Sequence, residues 1–236
     1  MGEVLDTRRS ETNSRFKELQ ENLKAAEEIA SSKACVYATG SFGRGEASRH
    51  SDLDLFIVGR GSVGDPALSR LDEICLEADL IEATRALAIP EFSGDGEYLI
   101  HYTRQKFIDA LGTQDDDAIN TFTARLLLLL ESKPLLGENV YQETIENVIA
   151  SYWRDYAANK NEFIPAFLAN DILRFWRTFC VNYEARTRTM PEEKKAKRRL
   201  KHYKLKHSRL LTCYSALLYS FGHLHLGTIC SSSRRD

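Results

Sequence analysis

One stretch, Val36 to Val58, constrains the fold of this chain more than any other part of it. An apolar run ends in Gly40 and Ser41, a short glycine-rich segment follows, and the chain resumes as Asp52-Leu-Asp54 within a second apolar run. Apolar runs bounded by glycines in this way are typical of strands. The stretch therefore predicts two strands joined by a tight connection, with a pair of aspartates on the second strand.

Asp52 and Asp54 are the residues of this stretch with the clearest chemical role. Side chains two apart on a strand share one face, so the two carboxylates are expected side by side, and Leu53, Leu55 and Ile57 are expected to face the core. Neighbouring carboxylates repel each other, and a strand that keeps both usually has a compensating cation. Mg²⁺ prefers oxygen ligands and takes a couple of carboxylates together with substrate phosphates. A magnesium site is therefore predicted here.

Gly40 and Ser41 supply the other half of the predicted site. A strand that ends in small residues and leads into a helix offers backbone N–H groups and a hydroxyl to phosphate oxygens. The alternative is a plain turn followed by two aspartates on a solvated edge strand. The spacing of about ten residues between Gly-Ser and Asp-x-Asp favours a site where metal and triphosphate meet.

This stretch resembles the signature of the polymerase β-like nucleotidyltransferase superfamily, in which Gly-Ser or Gly-Gly precedes Asp-x-Asp on the next strand. The form Gly-Ser-Phe-Gly-Arg-Gly-Glu with Ser-Asp-Leu-Asp is most similar to nucleotidyltransferases related to bacterial protein uridylyltransferases. The resemblance implies a Mg²⁺-dependent transfer of a nucleoside monophosphate from a triphosphate to an acceptor, with release of pyrophosphate. It also implies that Asp52 and Asp54 are the catalytic metal ligands and that Gly40 and Ser41 bind the nucleotide.

The superfamily pattern includes a third carboxylate on a later strand, and the sequence offers Glu91 or Asp95 for it. Glu91 is the better candidate for a strand, although Pro90 limits that strand to a start or an edge. Asp95 lies in Gly-Asp-Gly, which is typical of a turn. Without a third carboxylate the chain could bind nucleotides without turnover. The alternative to an enzyme is therefore a catalytically degenerate nucleotide- or nucleic-acid-binding regulatory module.

The order of the predicted elements indicates an α/β (α+β) fold with two domains. Residues 1–117 are predicted to form a small mixed-sheet nucleotidyltransferase core with an N-terminal helix, and residues 118–236 a helical C-terminal domain. The active site is expected in a cleft between them. An acidic cluster at residues 115–117 is interpreted as the N-terminal cap of the following helix rather than a metal site. Asp171 and Arg174 are predicted to form an ion pair within one helix.

Residues 186–209 are strongly basic, whereas the whole chain has a net charge of −2. Such a run is either a solvated face or a phosphate-binding surface, and the two interpretations carry equal weight. Three acceptors therefore remain open: RNA or a nucleotide, favoured by the basic run; a protein, favoured by the family resemblance; and a small molecule, favoured by the modest chain length.

The remaining composition limits the cofactors and the compartment. The five cysteines are scattered without Cys-x-x-Cys spacing, so neither a zinc site nor a disulfide framework is predicted. The longest apolar run, Leu126 to Leu130, is far too short to span a bilayer, and the first residues do not resemble a signal peptide. A cytoplasmic protein without a membrane partner is expected.

Overall fold

The structure is a computed structural model that describes residues 2–92, 96, 99–160, 162–188, 191 and 194–232. The chain divides into two compact units, Met1–Ile149 and Ala150–Asp236. The strands are β1 Ala34–Thr39, β2 Asp54–Gly59, β3 His101–Thr103 and β4 Lys133–Leu136. The helices of the first unit are α1 Gly2–Asn22, α2 Lys24–Ala30, α3 Gly40–Gly43, α4 Arg70–Ala86, α5 Arg104–Asp109, α6 Asp115–Ala118, α7 Thr121–Glu131 and α8 Glu138–Tyr152, whose last turn continues into the second unit.

The first unit is built on a four-stranded mixed sheet of order β3-β2-β1-β4. β1 runs antiparallel to both β2 and β4, while β2 and β3 are parallel. In the β1–β2 pair the last residue of β1, Thr39, lies opposite the first residue of β2, Asp54. The predicted mixed α/β architecture is confirmed, and the first strand, predicted at about Ala34 to Thr39, coincides with β1. The second strand is predicted at about Ser51 to Gly59 but begins only at Asp54, so the prediction that both aspartates lie on it is wrong for Asp52.

One face of the sheet packs against α1, α2 and α4. Leu19 of α1, Leu76 of α4 and Ile57 of β2 are fully buried in this layer. Burying a leucine or isoleucine stabilises a fold by about 1.5–3 kcal/mol, so this layer is a major contribution to the stability of the unit. The N-terminal helix is predicted as one segment, but the structure breaks it at Leu23 into α1 and α2.

The opposite face of the sheet carries an aromatic layer. The rings of Tyr37 and Phe56 stack with their centroids 5.5 Å apart, and Tyr102 continues the layer at 6.5 Å from Phe56. The buried Tyr37 hydroxyl donates a 3.0 Å hydrogen bond to the Ala124 carbonyl oxygen of α7. Both faces of the sheet are thus covered by other parts of the unit.

The fourth strand was not predicted. β4 follows α7 after a single residue and pairs with β1, although the sequence at Pro134 and Gly137 reads as the end of a helix. Gly137 has φ +64°, and a Cβ there would overlap the Ala34 carbonyl oxygen. Glycine allows the chain to leave the edge strand while it touches β1.

The acidic cluster at residues 115–117 has a different role from the predicted helix cap. Asp116 is fully buried in α6, and its two carboxylate oxygens accept hydrogen bonds of 2.9 and 2.6 Å from Arg125 of α7. α7 itself begins after Asn120, which makes no side-chain cap. The predicted cap is therefore wrong for α7, because a buried guanidinium nine residues downstream pairs with the central carboxylate. The three aspartates lie instead in the first turn of α6, where negative charge suits the helix dipole.

The second unit is helical, as predicted for the C-terminal region. It contains α9 Ala166–Thr187, α10 Lys195–Lys204, a π-helical turn Leu205–Arg209 and α11 Leu210–Ser232. Asp171 accepts hydrogen bonds from Arg174 at 3.3 Å and from the Tyr152 hydroxyl at 2.8 Å, which confirms the predicted ion pair. None of the residues of α10 is buried. Within the described part of the chain, no helix has the length and apolarity needed to cross a membrane.

Candidate active site

Asp52 and Asp54 lie at the point where β2 begins. Asp54 is the first residue of the strand, and Asp52 belongs to the segment that leads into it. Exposure alternates along this segment: both aspartates are exposed, whereas Leu53 and Leu55 are 3% and 5% exposed. The alternation indicates that the two carboxylates face solvent on one side, and the predicted burial of Leu53, Leu55 and Ile57 is confirmed.

Gly40 lies directly against the Asp54 carboxylate. Gly40 follows the last residue of β1, and a Cβ built on it would lie 3.0 Å from Oδ2 of Asp54. Its φ of +63° is in the left-handed region that glycine adopts without the penalty other residues incur. Glycine is therefore favoured here both by backbone conformation and by the close approach of a carboxylate. The structure brings these two predicted site residues together.

Ser41 is the second residue of α3 and is half-buried. Among the described residues, none forms a hydrogen bond with its hydroxyl group. A serine hydroxyl can donate one hydrogen bond and accept others. The Ser41 hydroxyl is thus available to a ligand that approaches Gly40.

α3 is anchored to the end of α7, an arrangement that the sequence did not reveal. A Cβ at Gly43 would overlap the Glu131 carbonyl oxygen, so α3 approaches α7 at a distance only glycine permits. The buried Glu131 carboxylate accepts a 2.6 Å hydrogen bond from Arg44, which also donates a 3.1 Å hydrogen bond to Glu46. Burial lowers the pKa of Arg44, but the carboxylates of Glu131 and Glu46 outweigh it and raise the pKa above its ordinary value.

The segment before Asp52 is held by α1. Arg15 donates a 2.6 Å hydrogen bond to the Ser48 carbonyl oxygen, and the Thr12 hydroxyl lies 3.4 Å from the Ala47 carbonyl oxygen. The Ser48 amide in turn donates to the Ser51 hydroxyl at 2.9 Å. Contacts with α1 therefore fix the path of the chain into Asp52, just as α7 fixes α3.

Of the two candidates for a third carboxylate, Glu91 and Asp95, the structure describes Glu91. Glu91 lies in a loop and not on a strand, so that expectation is wrong. Its side chain is 78% exposed and accepts a 3.4 Å hydrogen bond from Arg85. Asp95 lies outside the described residues.

The donor set at Asp52 and Asp54 fits magnesium. Across the described residues there is no group of three or more His, Cys, Asp or Glu side chains arranged to hold a metal ion. Two exposed carboxylates beside a glycine turn nevertheless match Mg²⁺, which binds through one or two carboxylates and completes its shell with substrate phosphates and water.

A comparison with protein-family models agrees with the motif. Residues 17–109 match the family model described as "Nucleotidyltransferase domain". A search of curated proteins gives no match. One solved structure, described as "Crystal structure of the toxin-antitoxin with AMP-PNP", is similar at 13% identity and a TM-score of 0.33, covering 62% of this chain and 93% of that chain. The match to the family model includes Gly40, Ser41, Asp52 and Asp54, and it supports the nucleotidyltransferase superfamily that the motif predicted.

Proposed function

We propose that this protein is a Mg²⁺-dependent nucleotidyltransferase that moves a nucleoside monophosphate from a nucleoside triphosphate to an acceptor hydroxyl and releases pyrophosphate. The observation that supports it best is the contact between the Gly40 backbone and the Asp54 carboxylate. This contact places the glycine turn within a few ångströms of an exposed aspartate at the start of a strand. A polyphosphate and a cation are the ligands for which such a pair of features is suited.

In the proposed reaction the acceptor oxygen forms a bond to the α-phosphorus, and the bond from that phosphorus to the β-phosphate oxygen breaks. The proton of the acceptor hydroxyl is released to solvent. Asp52 and Asp54 would hold Mg²⁺, which when bound neutralises phosphate charge and lowers the pKa of the acceptor hydroxyl. Gly40 leaves room for the polyphosphate beside Asp54, and the Ser41 hydroxyl donates a hydrogen bond to a phosphate oxygen.

The residues around the site support this role by keeping it rigid. The Arg44–Glu131 ion pair fixes the turn that carries Gly40 and Ser41, and the hydrogen bond from Arg15 to Ser48 fixes the approach to Asp52. Preorganised groups stabilise developing charge without the cost of reorganisation during the reaction. We assign Arg44 and Glu131 as positioning residues.

The acceptor is a protein, an RNA or nucleotide, or a small molecule. The family resemblance to relatives of protein uridylyltransferases supports a protein acceptor, and the basic residues 186–209 support a nucleic acid. We expect labelling experiments with separated acceptor fractions to identify the class.

The test is incubation of the protein with α-labelled nucleoside triphosphates and Mg²⁺, alone and with cell lysate. We expect pyrophosphate and a labelled product from the wild type and neither from Asp52→Ala. Asp115→Ala is the matched control, because Asp115 is an exposed aspartate of the same unit that lies outside the site. Equal turnover by the wild type and Asp52→Ala would contradict the proposal.

A second candidate function is a nucleotide-binding regulatory module without turnover. It is favoured by Glu91, which is exposed in a loop and paired with Arg85 instead of lying on a strand of the sheet. Titration calorimetry that detects nucleotide binding, combined with no pyrophosphate release for any metal or acceptor fraction, would favour this function.

A further inference from the structure

A cavity of about 620 Å³ lies between α1 and the loop that precedes Asp52. Its lining includes Arg8 and Arg15 of α1 and Arg49 and His50 of the loop. Gly40, Ser41, Asp52 and Asp54 do not line it, so the cavity is separate from the surface proposed to hold the triphosphate.

The positive charge in this cavity is only partly compensated. Glu11 is the one carboxylate in the lining, and it accepts a 3.0 Å hydrogen bond from Arg8. Arg15 donates a hydrogen bond to the Ser48 carbonyl oxygen, and its guanidinium carbon lies 5.1 Å from the centre of the Phe42 ring. Both of these partners are uncharged. Arg49 donates to the His50 ring at 3.1 Å. Within the described part of the chain, neither Arg15 nor Arg49 forms an ion pair with a carboxylate.

The chemistry of the lining favours phosphate over an acidic protein surface. Apart from Ala47, the side chains that line the cavity are charged or polar, and they include the hydroxyls of Ser14 and Ser48. Protein interfaces concentrate aromatic, methionine and arginine side chains at their core, and of these the lining has the arginines alone, apart from the imidazole ring of His50. Guanidinium and hydroxyl donors are the groups that contact phosphates along a nucleic acid backbone.

The size and position of the cavity limit the ligand further. Its volume of about 620 Å³ is within the range of sites for small ligands, which suits a short stretch of a single strand. The loop that lines it continues through Ser51, whose hydroxyl accepts from the Ser48 amide, into Asp52. A strand bound in the cavity would thus lie against the same short loop that ends at the metal-binding aspartates.

We infer that this cavity binds backbone phosphates of a single-stranded oligonucleotide and serves as an acceptor subsite. The acceptor role rests on the proposed nucleotidyl transfer, whereas the binding of the strand does not. Arg49 and Arg8 contact the phosphates, and Arg15 contributes charge while it holds the loop.

The test uses the full-length protein and a short fluorescein-labelled oligouridylate, with affinity measured by fluorescence anisotropy over a series of salt concentrations. We expect Arg49→Gln and Arg8→Gln each to weaken binding about 3- to 10-fold, and each to reduce the slope of log affinity against log salt by about 0.7. Arg15→Gln is avoided because loss of its bond to Ser48 could move the loop. Lys17→Gln is the matched control, since Lys17 is an exposed cation of α1 that does not line the cavity.

Titration of the same variants with a non-hydrolysable ATP analogue and Mg²⁺ separates this cavity from the nucleotide site. We expect the affinity for the analogue to stay at the wild-type value. Three results would overturn the inference: wild-type affinity for oligouridylate in Arg49→Gln and Arg8→Gln, loss of affinity for the analogue instead of for the oligonucleotide, or displacement of the oligonucleotide by polyglutamate at equal charge.

Turnover is measured in parallel to separate this inference from the proposed function. Asp54→Asn is expected to lose transfer and to keep its affinity for the oligonucleotide. If the wild type shows no transfer while Arg49→Gln still weakens oligonucleotide binding, the binding site is supported and only its role in transfer is overturned. If the wild type transfers nucleotides but does not bind the oligonucleotide, this inference alone is overturned.

Discussion

The first unit contains two acidic clusters that look alike in sequence and differ in structure. At Asp52 and Asp54 the carboxylates are exposed at a strand start, beside a glycine turn. At Asp116 the carboxylate is fully buried and held by two hydrogen bonds from Arg125. The surroundings of a carboxylate therefore decide what it can do: the buried aspartate is enclosed with Arg125 and has a structural role, whereas the exposed pair can be reached from solution.

The largest expected effect is on activity at the exposed cluster. Asp54→Asn should lower the rate of nucleotidyl transfer by on the order of 10³-fold, because a bound metal ion contributes several kcal/mol to transition-state stabilisation and each 1.36 kcal/mol changes a rate tenfold. Its stability should stay within about 0.5 kcal/mol of the wild type, since the side chain is exposed. Pyrophosphate release and urea unfolding measure the two quantities. A fully active Asp54→Asn protein would remove the distinction between the clusters.

At the buried cluster, the main expected effect of a substitution is on stability. Asp116→Asn leaves the Arg125 guanidinium buried without a countercharge, and the loss of one partner of a buried ion pair costs about 3–5 kcal/mol. Urea unfolding should detect this loss, and Asp115→Asn, at an exposed position in the same helix, should stay within about 0.5 kcal/mol. If Asp116→Asn were as stable as the wild type, the Asp116–Arg125 ion pair would not contribute to the stability of the unit.

The close approach of Gly40 to the Asp54 carboxylate distinguishes the exposed cluster from the buried one. Gly40→Ala should destabilise the fold by about 1–2 kcal/mol, because φ at this position is left-handed. The new methyl group would also push against the Asp54 carboxylate, so transfer should fall by about 10-fold or more. Gly45→Ala is the control: Gly45 also has a left-handed φ, of +71°, but a Cβ there would meet only Arg9, at 3.8 Å. Equal losses of activity in both variants would mean that backbone strain, and not the contact with Asp54, is responsible.

His101 is a buried titratable group whose burial is only partly offset by a neighbouring carboxylate. Burial lowers the pKa of its imidazole below the ordinary value of 6.5, and the Glu73 carboxylate, 3.8 Å away, opposes this shift while Arg70 adds to it. The unfolded chain therefore binds a proton more readily than the folded chain. The free energy of unfolding should fall as the pH drops below 6.5. Urea unfolding of the wild type and His101→Gln above and below this pH measures the effect, and the variant should lose part of the pH dependence.

The smallest expected effect is at Glu91. Its side chain is exposed and paired with Arg85, so Glu91→Gln should change the rate of transfer by less than about 2-fold, as expected of surface substitutions away from a site. A large loss of transfer in Glu91→Gln with unchanged stability would restore Glu91 as the third carboxylate. Asp95→Asn tested beside it would examine the other candidate.

The exposed cluster could be predicted from the sequence because its signals are local. Alternation of Asp52, Leu53, Asp54 and Leu55 fixes which side chains share a face, whatever the rest of the chain does. The family resemblance depends on the same short stretch, which is why the fold class and the paired aspartates were accessible from it.

The elements that the sequence did not reveal depend on contacts between distant residues. Arg125 lies within an apolar helix and gives no sign that its charge meets Asp116. Glu131 ends the same helix, and its pairing with Arg44 joins residues 87 positions apart. The one sign of this role of Glu131 in the sequence is that a single carboxylate ends an apolar helix. β4 is four residues long and includes Pro134, so its pairing with β1 is decided by tertiary packing rather than by its own pattern.

The most direct test of the central claim is metal binding at the exposed cluster, measured by electron paramagnetic resonance with Mn²⁺ as a probe for Mg²⁺. In the presence of a non-hydrolysable ATP analogue, the wild type and Asp115→Asn should bind Mn²⁺ alike, and the double variant Asp52→Asn, Asp54→Asn should lose this binding. Mn²⁺ binding by the double variant equal to that of the wild type would contradict the assignment of these two aspartates as the metal ligands.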